Sequence, residues 1–239
     1  MEINCVFFDF GDTIAFNNAS FPQSLHAALL SMGIQCDLSH LYTLIQAQDR
    51  ATIRRRYEAR SEEAYRALRI RYYSGLLNSL SIPDNGFEVS TYLYEIMPFY
   101  HGTYLKPETS YVLDILKEHG YQLGIISNFS HLLPSLCKKL GVDRYMDFIV
   151  YSDDVGVEKP HPQIFKTALT LSGSQPGQCI HIGDSYEADV LGARAVGIEP
   201  ILIQASSVSP REDCVCIFNL LSVLNYLKIK HPLKTPFIK

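Results

Sequence analysis

The side chains able to do chemistry in this chain fall in four short stretches: DFGDT at 9–13, SN at 127–128, EKPHPQIF at 158–165 and GDSYEAD at 183–189. They supply carboxylates at Asp9, Asp184 and Asp189, a hydroxyl at Ser127 and an ammonium at Lys159. Carboxylates brought together repel one another unless a cation or a basic side chain shares the site. Several hard oxygen ligands with room for water suit Mg²⁺, which accepts one or two carboxylates and keeps substrate oxygens in its shell. Mg²⁺ beside a lysine and a serine makes a pocket for a phosphoryl group. An aspartate in such a pocket can attack phosphorus to form an acyl phosphate, dividing one hard hydrolysis into two easier steps.

For these residues to meet, the chain must bring distant segments to one rim, and its patterning says how. Val6, Phe7 and Phe8 read as a buried strand that ends on Asp9. After residue 100, apolar strands alternate with helices: a helix opened by Pro107 and Glu108 and closed by Gly120, strand YQLGIISN, a helix from Leu132 to Leu140, strand DFIVYS, helix PQIFKTALTLSG, strand QCIHIGDS, helix EADVLGARAVG and strand PILIQ. Repeated β-α-β with continuously apolar strands predicts a Rossmann-like α/β core, a parallel sheet with helices on both faces. In open parallel sheets ligands bind beyond the carboxyl ends of the strands, and every stretch named above falls at such an end or in the loop that follows. A segment from about 16 to 98 breaks the rhythm. Its helical periodicity and a turn at Pro83–Gly86 predict an all-helical insertion after the first strand, which divides the chain into a core, 1–15 and 99–239, and a cap, 16–98.

Bulk properties narrow the classes. At 239 residues and 47% hydrophobic content the chain can bury a large core with an appendage. A net charge of −4 argues against a globally basic nucleic-acid binder. No apolar run approaches a membrane span, and the first apolar stretch meets Asp9 too early for a signal peptide, so the expected location is cytoplasmic. Six scattered cysteines do not form a disulfide scaffold, and the Cys214–Cys216 pair reads as part of a short strand rather than a zinc site. Histidines are scattered as well; His181 reads as a packed ring in a strand and His161 as a neighbour of the pocket. The basic tail from Lys228 reads as a loose end. Nothing in the sequence fixes an oligomeric state.

The four ordered motifs resemble those of the haloacid dehalogenase superfamily, chiefly its phosphohydrolases, and the resemblance covers nearly the whole chain. It implies a Rossmann-like core with a mobile cap and a small anionic, phosphorylated substrate. It further implies that Asp9 is the nucleophile and an Mg²⁺ ligand, that the Gly11 carbonyl is a second ligand and that Asp184 completes the protein ligands. Asp189 would support the metal through water or orient Lys159. Ser127 with nearby backbone amides would hold phosphoryl oxygens, Asn128 would fix the substrate side, and Lys159 would neutralise the charge gathered by Asp9 and the phosphate. Dehalogenation fits less well, because Asp184 and Asp189 would set negative charge beside a carboxylate substrate. Phosphonate cleavage fits least, since residues 16–98 hold no lysine for an imine.

One departure stands out. Phosphatases of this family usually read D-x-D-G-T, with the second aspartate protonating the leaving oxygen; here that position is Gly11, and Asp12 lies one place further. In an extended segment i+3 faces away from i, so Asp12 inherits the role only if the chain twists after Asp9. Turn propensity favours the alternative, an acid capping local backbone amides. Losing a general acid typically costs on the order of a hundred- to ten-thousand-fold in rate, and least for leaving groups that are already weak bases.

Residues 50–71 hold eight arginines and three glutamates, a local +5 that leaves −9 for the remainder. A basic cap could draw in anionic substrates. The competing expectation, which we favour, is a solvated helix face with Glu58, Glu62 and Glu63 paired at helical spacing to Arg54, Arg55, Arg66 or Arg69. Tyr57, Tyr65, Tyr72 and Tyr73 are expected to pack inside the cap.

Overall fold

The computed structural model describes residues 2–17, 19–56, 61–205 and 207–230, and for 49–56, 62 and 98–101 it describes the backbone alone. In chain order, β1 (Cys5–Phe8) and β2 (Ala15–Asn17) precede four helices, α1 (Phe21–Ser31), α2 (Leu38–Arg56), α3 (Glu62–Ser79) and α4 (Glu88–His101). After β3 (Thr103–Leu105) come α5 (Thr109–Glu118), β4 (Gln122–Ser127), α6 (Leu133–Leu140), β5 (Phe148–Tyr151), α7 (Ser152–Val155) and α8 (Pro162–Ser172). The chain continues through β6 (Cys179–Gly183), a π-helical turn (Tyr186–Leu191), α9 (Gly192–Ala195), β7 (Glu199–Ile203), β8 (Val215–Ile217) and α10 (Leu221–Tyr226). It forms two compact units, Met1–Phe16 with Tyr104–Lys239, and Asn17–Thr103.

The first unit is the expected α/β core. Its sheet runs β5-β4-β1-β6-β7-β8 with every pairing parallel. Side chains alternate across each strand, and the two faces bury different clusters. Val6, Phe8, Leu123, Ile125, Ile180 and Ile182 face α5, α6 and α10, whose Leu113, Leu116, Leu133 and Leu224 join the same cluster. Cys5, Phe7, Ile126, Val150 and Cys179 face the other way, against Ile164, Phe165 and Ala168 of α8 and Ala193 of α9. Burial on both faces explains why β1, β4 and β6 read as unbroken apolar runs. In register, Phe8 lies opposite both Ile125 and Ile182, so β1 is flanked on each side and its carboxyl end is central.

Helix ends follow local chemistry. Gly141 and Gly173 close α6 and α8 in the left-handed conformation, at φ 71° and 66°. The expected continuous helix over EADVLGARAVG is instead the π-helical turn followed by α9. The wider turn lets Asp189 fold back beneath Gly183, where an added Cβ would stand 2.1 Å from the Asp189 carboxyl carbon.

The second unit is helical over α1–α4, with a core of Leu25, Leu29, Leu41, Ile45, Tyr72, Tyr73, Leu76, Leu77, Leu93 and Met97. Tyr65, Tyr72 and Tyr73 are buried as expected, while Tyr57 lies outside the described residues. Of the expected intrahelical Glu–Arg pairing, Glu58, Glu62, Arg54 and Arg55 have side chains outside the description, and Glu63 forms no ion pair with Arg66 or Arg69. Arg66 meets Glu95 of α4 at 3.6 Å. The Arg69 guanidinium lies 4.9 Å over each of the Tyr72 and Tyr73 rings and donates to the Tyr73 hydroxyl at 2.8 Å. An aromatic cluster offers a planar cation a better-packed partner than an exposed glutamate does. The side chains of Arg50, Arg54, Arg55, Arg56, Glu58, Arg60 and Glu62 lie outside the description, as does the tail at 231–239. Among the described residues no helix is long and apolar enough to cross a membrane.

Gly124 on β4 faces the Phe148 ring on β5, and a Cβ there would fall 1.9 Å from the ring edge. Gly124→Ala is expected to destabilise the core by about 1–3 kcal/mol through overpacking. The double variant Gly124→Ala/Phe148→Leu should lose less than the sum of the two single changes, read as urea midpoints at constant slope.

A buried lysine and three carboxylates at the sheet edge

Asp9 sits one residue past β1, yet its N–H still donates to the Ile182 carbonyl at 2.8 Å, which holds it at the carboxyl edge of the sheet. Lys159, from the loop between α7 and α8, reaches the same point. Its ammonium donates to Asp9 Oδ1 and to Asp189 Oδ1, at 2.6 Å in each case, and its side chain is 2% exposed. An ammonium buried this deeply needs both acids: burial alone would discharge it, and Asp9 and Asp189 instead raise its pKa above the ordinary lysine value.

Asp189 is the most heavily committed of the acids. Its Oδ1 also accepts from His181 Nε2 at 2.8 Å, and its Oδ2 accepts the Ser185 N–H at 3.0 Å. Burial would push its carboxyl up, but the His181 hydrogen bond and the Lys159 charge hold it well below the usual carboxylate range. His181 is fully buried, edge-on to Phe165 at 5.2 Å between ring centroids. A carboxylate only accepts, so Nε2 carries the proton. Asp9 keeps its second oxygen nearer the rim, 3.4 Å from the Thr13 hydroxyl. Burial raises its carboxyl pKa, against the pull of Lys159.

Asp184 follows Gly183 at the end of β6 and is exposed. Carboxylate oxygens of Asp9, Asp184 and Asp189 all lie within 4.8 Å of one another, and among the described residues this is the cluster that could hold a metal ion. Partial burial and then the charges of Asp9, Asp189 and Asp12 push the Asp184 carboxyl up to about 6. A cation would relieve that repulsion, and the donor set is hard oxygen throughout. Asp189 orients Lys159 through its Oδ1, and each of the three acids still offers an oxygen to the cluster.

The remaining expected residues divide. Ser127 ends β4, buried, and its hydroxyl bonds to no other described residue. The Asn128 side chain is occupied: Nδ2 donates to the Lys159 carbonyl at 3.1 Å, and Oδ1 accepts the Lys159 N–H at 2.7 Å. It therefore clamps the lysine loop. His161 caps α8, accepting the Gln163 N–H at 3.2 Å. Gly11 forms an isolated bridge to Ala15, and a Cβ at this position would meet nothing within 4 Å.

Asp12 corrects an expectation. It adopts the left-handed conformation at φ 53°, inside a turn closed by Ile14 and Ala15 N–H groups donating to the Phe10 carbonyl at 3.2 and 3.0 Å. The turn closes through its own backbone, so the Asp12 carboxylate caps no amide among the described residues. It lines a cavity together with Asp184 instead. The His181–Asp189 contact and the Asn128 clamp were not foreseen. The available signal was alternation along β6, which puts His181 and Gly183 on one face.

A buried lysine shared by two acids, with a third acid open to the rim of a parallel sheet, defines an α/β enzyme centre. Residues 3–197, well over half of the chain, match the family described as haloacid dehalogenase-like hydrolase, and the chain belongs to that family. It is 35% identical over 127 residues to haloacid dehalogenase-like hydrolase domain-containing protein 3 of Xenopus laevis, a match covering 53% of this chain and 52% of that one, so the chain spans about half the length of that relative. It is 29% identical over 225 residues to glyceraldehyde 3-phosphate phosphatase of Methanothermobacter thermautotrophicus, covering 89% of this chain and 91% of the relative. Among solved structures, the putative HAD-hydrolase YfnB from Bacillus subtilis bound to magnesium shares the fold with a TM-score of 0.68 at 18% identity, over 96% of this chain and 100% of that one.

The raised Asp184 pKa has a consequence for stability. Between about pH 4 and pH 6 the folded protein holds a proton there that the unfolded chain has released, so this group's contribution falls as pH rises through that window. Without divalent cations, Asp184→Asn should be more stable than the parent at pH 8, by on the order of 1 kcal/mol once exposure is discounted. The gain should vanish below about pH 4. Denaturant unfolding in EDTA at the two pH values checks this.

Proposed function

We propose that this chain is an Mg²⁺-dependent phosphohydrolase that acts on a small phosphorylated metabolite through an aspartyl-phosphate at Asp9. The observation that carries the reading is the convergence of the Asp9, Asp184 and Asp189 oxygens within 4.8 Å around the Lys159 ammonium. The archaeal relative, a glyceraldehyde 3-phosphate phosphatase by name, supports a phosphorylated sugar-sized substrate. All six cysteines are free thiols, which suits a reducing compartment, and we assign the protein to the cytoplasm.

In this reading Asp9, Asp184 and the Gly11 carbonyl hold Mg²⁺, which supplies Lewis-acid charge stabilisation at the phosphoryl oxygens. The protein's own groups do the rest. An Asp9 carboxylate oxygen attacks phosphorus as the bond to the leaving oxygen breaks, and water then cleaves the acyl phosphate, returning Asp9 and releasing phosphate. Lys159 keeps Asp9 ionised and offsets the charge of the incoming dianion. The Ser127 hydroxyl donates to a phosphoryl oxygen. Asn128 and Asp189 fix Lys159 from its backbone and its ammonium, so the lysine needs no rearrangement during the reaction. Gly11 supplies no proton to the leaving oxygen, so activated leaving groups should be favoured. The same glycine favours a second reading, in which the fold is retained for binding or regulation with little catalysis.

A phosphate-ester screen with Mg²⁺, run beside Asp9→Asn, separates the two. The first reading expects turnover in the parent and a loss of at least about a hundredfold in the variant. No turnover on any ester, with binding indifferent to Asp9→Asn, selects the second.

Space at position 11 allows the missing acid to be restored. Gly11→Asp should raise kcat on alkyl phosphates by about tenfold or more while leaving aryl phosphates nearly unchanged. Equal rates on aryl and alkyl esters in the parent would count against a missing proton donor.

A further inference from the structure

The cavity beside Asp184 has a volume of about 700 Å³, within the range of small-ligand sites, and is lined by Asp12, Asp184, Lys106, Tyr186, Arg211 and Phe218 among others. All of these belong to the α/β core. Two cations line it, and they differ in what they already do. Arg211 lies 3.5 Å over the Tyr186 ring and donates to Asp213 at 3.2 Å, so its charge is spent on holding its own loop. Tyr186 in turn donates to Asp213 Oδ2.

Lys106 is placed with equal care but is unpaired among the described residues. Its backbone N–H donates to the Ile14 carbonyl at 3.0 Å, and Thr109 donates to the same carbonyl at 2.7 Å, which ties the start of α5 to the turn carrying Asp12. Its half-buried side chain then runs along the cavity wall, and its ammonium makes no hydrogen bond or ion pair with any described residue. A half-buried ammonium in a concave site, held by its backbone and without an acid, is suited to a ligand's negative charge.

We propose that this cavity is a subsite for a second anionic group of the substrate, a phosphate or carboxylate, and that Lys106 binds that group. The assignment rests on the phosphatase reading, because Asp12 and Asp184 would repel an anion unless a divalent cation sits at Asp184. Substrates carrying two anionic groups then place one phosphoryl group at Asp9 and the other charge at Lys106.

Kinetics on two probes test the subsite. With Mg²⁺, propane-1,3-diol bisphosphate and 3-hydroxypropyl phosphate differ only in the second phosphate. The parent should prefer the bisphosphate in kcat/KM, and Lys106→Met should lose about tenfold to a hundredfold on it, the range of one charge-assisted hydrogen bond, while changing the monophosphate less than twofold. Equal losses on both probes, or no loss on either, overturn the proposal. If neither probe is turned over, the ester screen judges the phosphatase reading and binding decides the subsite. Titrating the bisphosphate calorimetrically into Asp9→Asn and Asp9→Asn/Lys106→Met, both with Mg²⁺, should show affinity at least tenfold weaker in the double variant. Unchanged affinity, or no binding to either protein, overturns it independently of catalysis.

Discussion

An ammonium sealed from water among apolar side chains can stay charged only if it is matched by acids at hydrogen-bond distance, and Lys159 meets that condition with two. The requirement is reciprocal, because Asp9 and Asp189 would each be unstable as buried anions without it. One cation therefore fixes the protonation of two carboxylates and the relative positions of three chain segments. Removing it would leave two buried acids facing each other, a loss of several kcal/mol in comparable buried pairs. The apparatus around it is correspondingly full: His181 and the Ser185 amide complete Asp189, and Asn128 holds the lysine backbone.

The fold supplies this arrangement through ordinary means. A parallel sheet directs all its carboxyl ends one way, so residues far apart in sequence reach one edge without long loops. Two local devices refine it. Gly183 leaves the volume that the Asp189 carboxyl occupies, and the π-helical turn bends the chain back so that Asp189 can enter it. Asp184 lies outside that packed cluster, and partial burial with the nearby charges of Asp9, Asp189 and Asp12 raises its pKa.

Much of this was legible in the sequence, for identifiable reasons. Strand and helix order follows from apolar runs punctuated by Gly and Pro, and the four motifs are contiguous, so each could be placed at a strand end. What escaped depends on contacts across the fold. His181 reads as a core residue until its neighbour on the rim is known. Asn128 reads as a ligand-facing amide until both of its polar atoms prove to be engaged by Lys159. Turn propensity gives Asp12 a capping role, yet the turn closes through backbone groups and leaves its carboxylate to the cavity. Spacing along one helix also cannot foresee that Arg66 meets a glutamate on another helix or that Arg69 lies over a cluster of tyrosines.

The pairing of β1 with β6 has a wider implication. Asp9 and Asp184 come from adjacent strands whose register sets Phe8 against Ile182, and neighbouring strands lie about 4.8 Å apart. The spacing of these two carboxylates is thus set by the ladder between two core strands rather than by the surrounding loops. Because that ladder also decides which side chains face each half of the hydrophobic interior, carboxylate spacing and core packing share one determinant, and sliding these strands to change one would forfeit the other.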